Sequence, residues 1–219
     1  MNELYLLRHA ETEANLNGIL QGHLDYPLSG RGMEQSRAVA ERLTKLEVDR
    51  IFRSPSGRVA ATLAPARKRG LPEAVVHKGL LEIDLGAASG LTFDEFRQRY
   101  AEELSSDEYL RGEYRFPGGE SRLDLYNRAE TVWNELLTTT DERILIASHG
   151  GLLSQLLAVV LGVPNDGKVR FRLDNASLTK IAWHNGHPYL TAFNDCAHLA
   201  EELRSPPFTP RLMPETAKA

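Results

Sequence analysis

The chain has 219 residues, of which 42% are apolar and 26% charged, with a formal net charge of −4. That length can bury one sizeable core, and the slight acidic excess gives no sign of a nucleic-acid binder. No apolar run is long enough to span a bilayer, and a single cysteine, Cys196, excludes both an intrachain disulfide and a cysteine-based metal cluster.

The opening MNELYLLRHA has no basic n-region and no long apolar stretch, so no signal peptide is expected and the expected compartment is the cytoplasm. Residues 3–7 read as a strand. LSGRGMEQSRAVAERLTKL then predicts a helix, with Ser29 as its cap and Met33, Arg37/Ala40, Leu43 and Leu46 on one face. A strand is expected at 48–52. A turn and helix follow through SPSGRVAATLAPARKRG, with Pro65 interrupting or kinking the helix. Residues 73–77 predict a short strand ending in His77, and 80–92 a loop. Residues 92–110 predict one helix with Phe93, Phe96 and Tyr100 along a stripe.

FPGGES is a turn whose Ser121 can cap the next long helix, in which Leu125, Ala129, Val132, Trp133 and Leu136 recur at three and four. RILIAS (143–148) is a nearly continuous apolar strand, the kind buried on both faces. His149-Gly150-Gly151 ends it, and an apolar helix follows. Residues 177–183 and 187–193 predict a hairpin around Asn185-Gly186. Alternating strands and helices predict a three-layer α/β/α sandwich with a mainly parallel central sheet and a helical lid excursion. One domain is expected over 1–203, with the excursion at about 91–116 and a proline-rich tail at 204–219.

Two histidines stand in the same kind of place. His9 follows the strand LYLL and His149 follows RILIAS, each released by small residues. In parallel strands both emerge at the carboxyl edge of the sheet, where ligands collect in open α/β folds. Helix N-termini at that edge would offer free backbone donors to an anion. Arg8 precedes the first histidine, and Arg58 sits just beyond the second strand. A guanidinium presents a donor fork suited to phosphate.

This grouping points to phosphoryl chemistry. An unprotonated imidazole nitrogen can attack phosphorus while surrounding cations stabilise the equatorial oxygens. Glu82, in the loop beyond the third strand, is the candidate proton donor to the leaving oxygen, because the like charge of a bound phosphate favours a protonated carboxyl. Taken singly, each of these residues has an ordinary structural reading, and only their joint placement argues for a site. His77, His184, His187 and His198 read as structural residues, and His23, in a loop near the proposed site, stays open. No HExxH pair or tight ligand spacing is present, so neither a metal nor another cofactor is expected.

These residues also carry a family likeness. LLRHAETEAN (6–15) resembles the Arg-His-Gly motif of the histidine phosphatase superfamily, the phosphoglycerate mutase-like proteins. QGHLDYPLSGRG, SPSGRVAAT, LLEIDLGAASG and ASHGG are similar to further family signatures in the same order, and PGGES, Arg128 and DNAS also fit. The resemblance spans roughly residues 1–195. It implies that His9 becomes phosphohistidine and that Arg8, Arg58 and His149 bind the transferring group. Glu82 would then serve as acid and base. Asn15 and the backbone around Gln21 and Gly22 would complete the anion site, with Thr12 supporting His9 through its hydroxyl. Ala10 departs from the usual glycine, and an ordinary backbone conformation is expected there.

Within the resemblance, a mutase would need a second cationic cluster. The stretch after the acid loop is short, mixes Arg97, Arg99, Arg111 and Arg115 with many acids, and has no Arg-Arg pair. The expectation is therefore a metal-independent phosphatase of a small phosphorylated metabolite. A 2,3-bisphosphoglycerate-dependent mutase is the alternative, and a non-catalytic phosphate-binding domain the remote one. No interface face stands out, so monomer and homodimer are both open.

Overall fold

The computed structural model describes residues 1–166 and 168–205. Six strands form one sheet in the order β3-β2-β4-β1-β5-β6. They are β1 (Glu3–Arg8), β2 (Arg50–Arg53), β3 (Val75–Val76), β4 (Arg143–Ser148), β5 (Leu178–His184) and β6 (His187–Asp195). The first four run parallel, and the β5–β6 hairpin joins β1 antiparallel. The sheet is thus mixed, with its parallel half at the centre and one edge.

Alternation along the central strands builds both outer layers. Leu4, Leu6, Ile144 and Ile146 face the long helix at Arg122–Leu136 and the apolar helix at Gly150–Val160. Tyr5, Leu7, Leu145 and Ala147 face the opposite layer, made by Gly30–Leu43 and Gly57–Lys68. In chain order the described α-helices are α1 (Glu13–Leu16), α2 (Gly30–Leu43), α3 (Gly57–Lys68), α4 (Phe93–Arg99), α5 (Ala101–Leu104), α6 (Asp107–Leu110), α7 (Arg122–Leu136) and α8 (Gly150–Val160). A sheet buried on both faces accounts for the unbroken apolar character of RILIAS, whose strand limits match those read from sequence. Ser121 caps α7 in a reciprocal capping box with Asp124.

Several expectations need correction. The buried face of α2 is Gln35, Ser36, Val39, Ala40 and Leu43, whereas Met33 is half exposed. Gln35 is buried because its side chain accepts from Glu11 N–H and donates to the Leu203 carbonyl, which apolar periodicity does not register. Pro65 lies inside α3 rather than ending it. The expected strand at 73–77 shrinks to two exposed residues at the sheet edge. The single helix over 92–110 is three short ones. Tyr100, at φ −116° and ψ 29°, breaks the first, and Ser106 caps a fresh start for the last. Tyr100 and Phe116 are buried in a small aromatic cluster of the excursion, while Phe93 points outward. Of the expected tail, residues 206–219 lie outside the described residues.

Candidate active site

Strand register sets the centre. Arg8 pairs with Ser148 across β1 and β4, so the residues that follow, His9 and His149, leave the sheet side by side. Their ring centroids are 5.3 Å apart at 63°. Arg53 pairs with Ala147, which brings Ser54, Ser56 and Arg58 to the same edge. His9, His149 and Arg58 are buried. The Ala10 side chain is buried in the core, and no positive φ is needed there.

The partner of His9 defines its tautomer. His9 Nδ1 lies 2.8 Å from the Ala10 carbonyl, which can only accept, so Nδ1 carries the proton and Nε2 keeps its lone pair. The loop around it is held by Ala10 N–H donating to Thr62 Oγ1 and by Asn175 Nδ2 donating to the His9 carbonyl. For His149, the Ser54 and Ser56 hydroxyls lie 2.8 and 3.4 Å from Nε2, and a hydroxyl can donate to it or accept from it. The tautomer in which Nε2 accepts carries its proton on Nδ1. Burial, then Arg8 and Arg58, hold the His9 imidazolium form far below its ordinary range. Burial, His9 and the same arginines do so for His149. Both rings are therefore neutral at pH 7.

The guanidiniums are anchored on one side and unpartnered on the other. Arg58 donates to the Leu24 carbonyl at 2.7 Å and the Gly22 carbonyl at 2.9 Å, with Asp25 at 3.3 Å. Arg8 donates to the Leu173 carbonyl at 2.5 Å. The buried Nε atoms of both, and His149 Nδ1, have no hydrogen-bond partner among the described residues. Buried polar atoms are costly when unsatisfied, and these three nitrogens are available to hold an anion.

The helix N-termini do not supply that place, contrary to expectation. The Glu82 carboxylate accepts from Gly151 N–H and Leu152 N–H, both at 3.0 Å, and so caps α8. Asp25 does the same for Gly57 and Arg58 at the start of α3. Neither helix has a capping side chain of its own. This explains the paired glycines. A Cβ on Gly151 would sit 2.4 Å from Glu82 Oε1, and one on Gly150 would sit 3.2 Å from Arg8 Nε.

Other expected residues take these positions. Asn15 Oδ1 accepts from Thr12 N–H and from Asn175 Nδ2, and Asn15 lines the cleft over the site. The Thr12 hydroxyl caps α1 by accepting from Asn15 N–H at 3.2 Å and donating to Asn15 Oδ1 at 3.0 Å. It therefore orders Asn15 rather than His9. Gly22 serves through its carbonyl on Arg58, and Gln21 is buried with an unpartnered Oε1. His23 Nε2 donates to the Glu82 carbonyl at 2.9 Å. Ser54, Ser56, Thr62, Asp25 and Asn175 were not singled out as site residues by sequence reasoning, although each lies within a stretch that carries the family resemblance. The cleft of about 880 Å³ beyond Arg8 is walled by α4 through Phe93 and Arg97, by Arg31 and by Arg172 and Asp174.

An α/β sheet that brings two neutral imidazoles, a buried guanidinium and a part-buried one to its strand ends defines a phosphatase-type centre. The chain belongs to the histidine phosphatase superfamily (branch 1), whose family model matches residues 4–196. A probable phosphoglycerate mutase GpmB of Proteus mirabilis (strain HI4320) is 31% identical over 210 residues, 92% of this chain and 96% of that protein. Phosphoserine phosphatase 1 of Hydrogenobacter thermophilus is 30% identical over 202 residues, with the same coverage of 92% and 96%. Among solved structures, the mycobacterial glucosyl-3-phosphoglycerate phosphatase in complex with VO3 superposes with a TM-score of 0.77 at 29% identity. That match covers 89% of this chain and 99% of that one. Relatives thus carry both phosphatase and mutase names.

Proposed function

We propose that the protein hydrolyses a small organic phosphate monoester through a phosphohistidine at His9, without a metal ion. The observation that carries this reading is the bare Nε2 of a buried, neutral His9, together with three buried nitrogens that have no hydrogen-bond partner among the described residues. His9 Nε2 attacks phosphorus as the P–O bond to the leaving group breaks. Arg8, Arg58 and His149 Nδ1–H take the charge on the phosphoryl oxygens. Glu82 Oε2 accepts only one backbone N–H bond, so it retains a lone pair to carry the proton the leaving oxygen needs. Water then attacks the phosphohistidine and gives its proton to Glu82. The P–N bond breaks, and its electron pair returns to Nε2. A structural relative crystallised in complex with VO3, a phosphate-like oxyanion, supports an anion-binding reading of this fold.

Hydrolysis is favoured over mutase action by the pairing of the cleft arginines. Arg31 is bonded to Glu11, Arg97 lies 3.7 Å from Asp94, and Arg172 lies 3.6 Å from Asp174. A second phosphate would meet cations already partly neutralised. The test is incubation with 3-phosphoglycerate, with and without 2,3-bisphosphoglycerate, and with a panel of phosphorylated metabolites including phosphoserine. Release of inorganic phosphate from members of the panel is expected. Isomer interconversion that needs the bisphosphate, without phosphate release, contradicts the hydrolase.

A further inference from the structure

The loop that carries Glu82 has no sheet or helix partner for its carbonyls, yet four in a row are hydrogen-bonded by side chains. Arg128 Nη1 donates to Gly79 and Leu81, each at 2.7 Å. The Ser148 hydroxyl donates to Leu80 at 2.6 Å. The Glu82 carbonyl receives Arg128 Nη2 at 3.0 Å and His23 Nε2 at 2.9 Å. Arg128 comes from α7, outside the cleft lining, and its two remaining donor directions close on Glu120 as a fork, at 2.8 and 2.7 Å. Glu120 reaches back to the same loop: its carboxylate accepts from Asp84 N–H at 2.9 Å, and its own N–H donates to the Asp84 carbonyl at 2.7 Å. The strap at 117–120 and α7 thus grip the acid loop on both sides of Glu82.

We propose that Arg128 and Glu120 form a positioning clamp that fixes where the Glu82 carboxyl meets the leaving oxygen. The proposal rests on Glu82 acting as the proton donor. A general acid must stand within hydrogen-bond reach of the oxygen it protonates, and the Arg128 fork fixes the loop on which it stands. Glu120 closes the other side of the fork, so the guanidinium cannot turn away from the carbonyls it holds. A lysine cannot serve, because one ammonium lacks the planar fork that reaches three carbonyls and a carboxylate together.

The test compares kcat/KM for p-nitrophenyl phosphate, whose leaving group departs without a proton, with that for phenyl phosphate, whose leaving group needs one. Both are similar in shape, and kcat/KM excludes later hydrolysis of the phosphoenzyme. Arg128→Gln should lose about 10²-fold with phenyl phosphate but no more than about 3-fold with p-nitrophenyl phosphate. Inhibition by inorganic phosphate should be unchanged. Arg128→Lys should not restore the phenyl phosphate rate. Glu120→Gln, which keeps an amide oxygen for Asp84 N–H, should show the same selective loss more weakly, and it carries the test alone if Arg128→Gln does not fold. Equal losses on the two esters, or full activity on phenyl phosphate, overturn the clamp. Glu82→Gln run in parallel separates the two levels. If it lacks leaving-group dependence, Glu82 is not the acid; if it shows the dependence and the clamp variants do not, only the clamp fails.

Discussion

At the strand ends, His9, Arg58 and His149 are 3%, 2% and 0% exposed, and each is held by a hydrogen bond to a residue far away in sequence: Asn175, Gly22 and Ser54. Across the cleft, α4, α5 and α6 contain no buried residue within their own spans, and Phe93 is 51% exposed. That excursion is held by rings: Phe116 stands 5.2 Å from Phe96, 4.8 Å from Tyr100 and 5.1 Å from Tyr114. The strand ends are fixed by sheet register and polar bonds. The excursion rests on a small aromatic cluster that could be repacked without touching the sheet. The proposed chemistry sits in the first region, and α4 of the second walls the cleft beside Arg8.

The largest effect should come from His9→Ala, with turnover of p-nitrophenyl phosphate falling about 10⁴-fold or more and the unfolding temperature little changed. Substantial remaining turnover would remove His9 from the nucleophile's role. Next is Gly151→Ala. Alanine suits a helix, but its Cβ collides with Glu82 Oε1, so a loss of about 10²-fold on phenyl phosphate is expected. Unchanged kinetics would show that Glu82 need not lie against α8.

A third test concerns acid. The folded-state pKa of both His9 and His149 is pushed far below the ordinary value, chiefly by burial. Above about pH 6.5 neither folded nor unfolded chain binds protons there. Below it the unfolded chain does and the folded chain does not, so stability falls with pH by up to about 1.4 kcal/mol per unit for each ring. Denaturant unfolding between pH 7 and pH 5 measures this; constant stability over that window contradicts two buried neutral imidazoles. For the same reason kcat/KM should show no acid limb at 6.5 once the substrate's own ionisation is divided out.

The smallest effect on chemistry should come from the excursion. Phe116→Ala should destabilise it locally by about 3 kcal/mol and speed amide exchange at 93–116. The kcat for p-nitrophenyl phosphate should stay within about 3-fold, with larger changes in KM for bulky esters. A collapse of kcat would mean that the two regions are not separable.

The same contrast governs what the sequence made legible. β4 and the turn at Asn185-Gly186 announce themselves because apolar runs and turn chemistry are local. The pairing of His9 with His149 could be anticipated because both end strands, and the register Arg8↔Ser148 places them side by side. What stayed hidden depends on partners distant in the chain. That Glu82 and Asp25, rather than an anion, fill the helix N-termini cannot be read from spacing. Nor can the hydrogen bond between the Ser54 hydroxyl and His149 Nε2, or the bonding of Thr12 to Asn15 instead of His9. The excursion misled for another reason. Its aromatic stripe fits a helical period, but Tyr100 turns the chain so that Phe93 and Tyr100 end on different surfaces.

The central claim is covalent transfer to His9 Nε2, and rapid acid-free quenching during turnover tests it most directly. With p-nitrophenyl phosphate in excess, intact mass and peptide sequencing should find one added phosphoryl group. It should be acid-labile, located on His9 and absent from His9→Ala. A phosphoryl group on any other residue, or none at all in a quench fast enough to capture the burst of p-nitrophenol, would contradict the account.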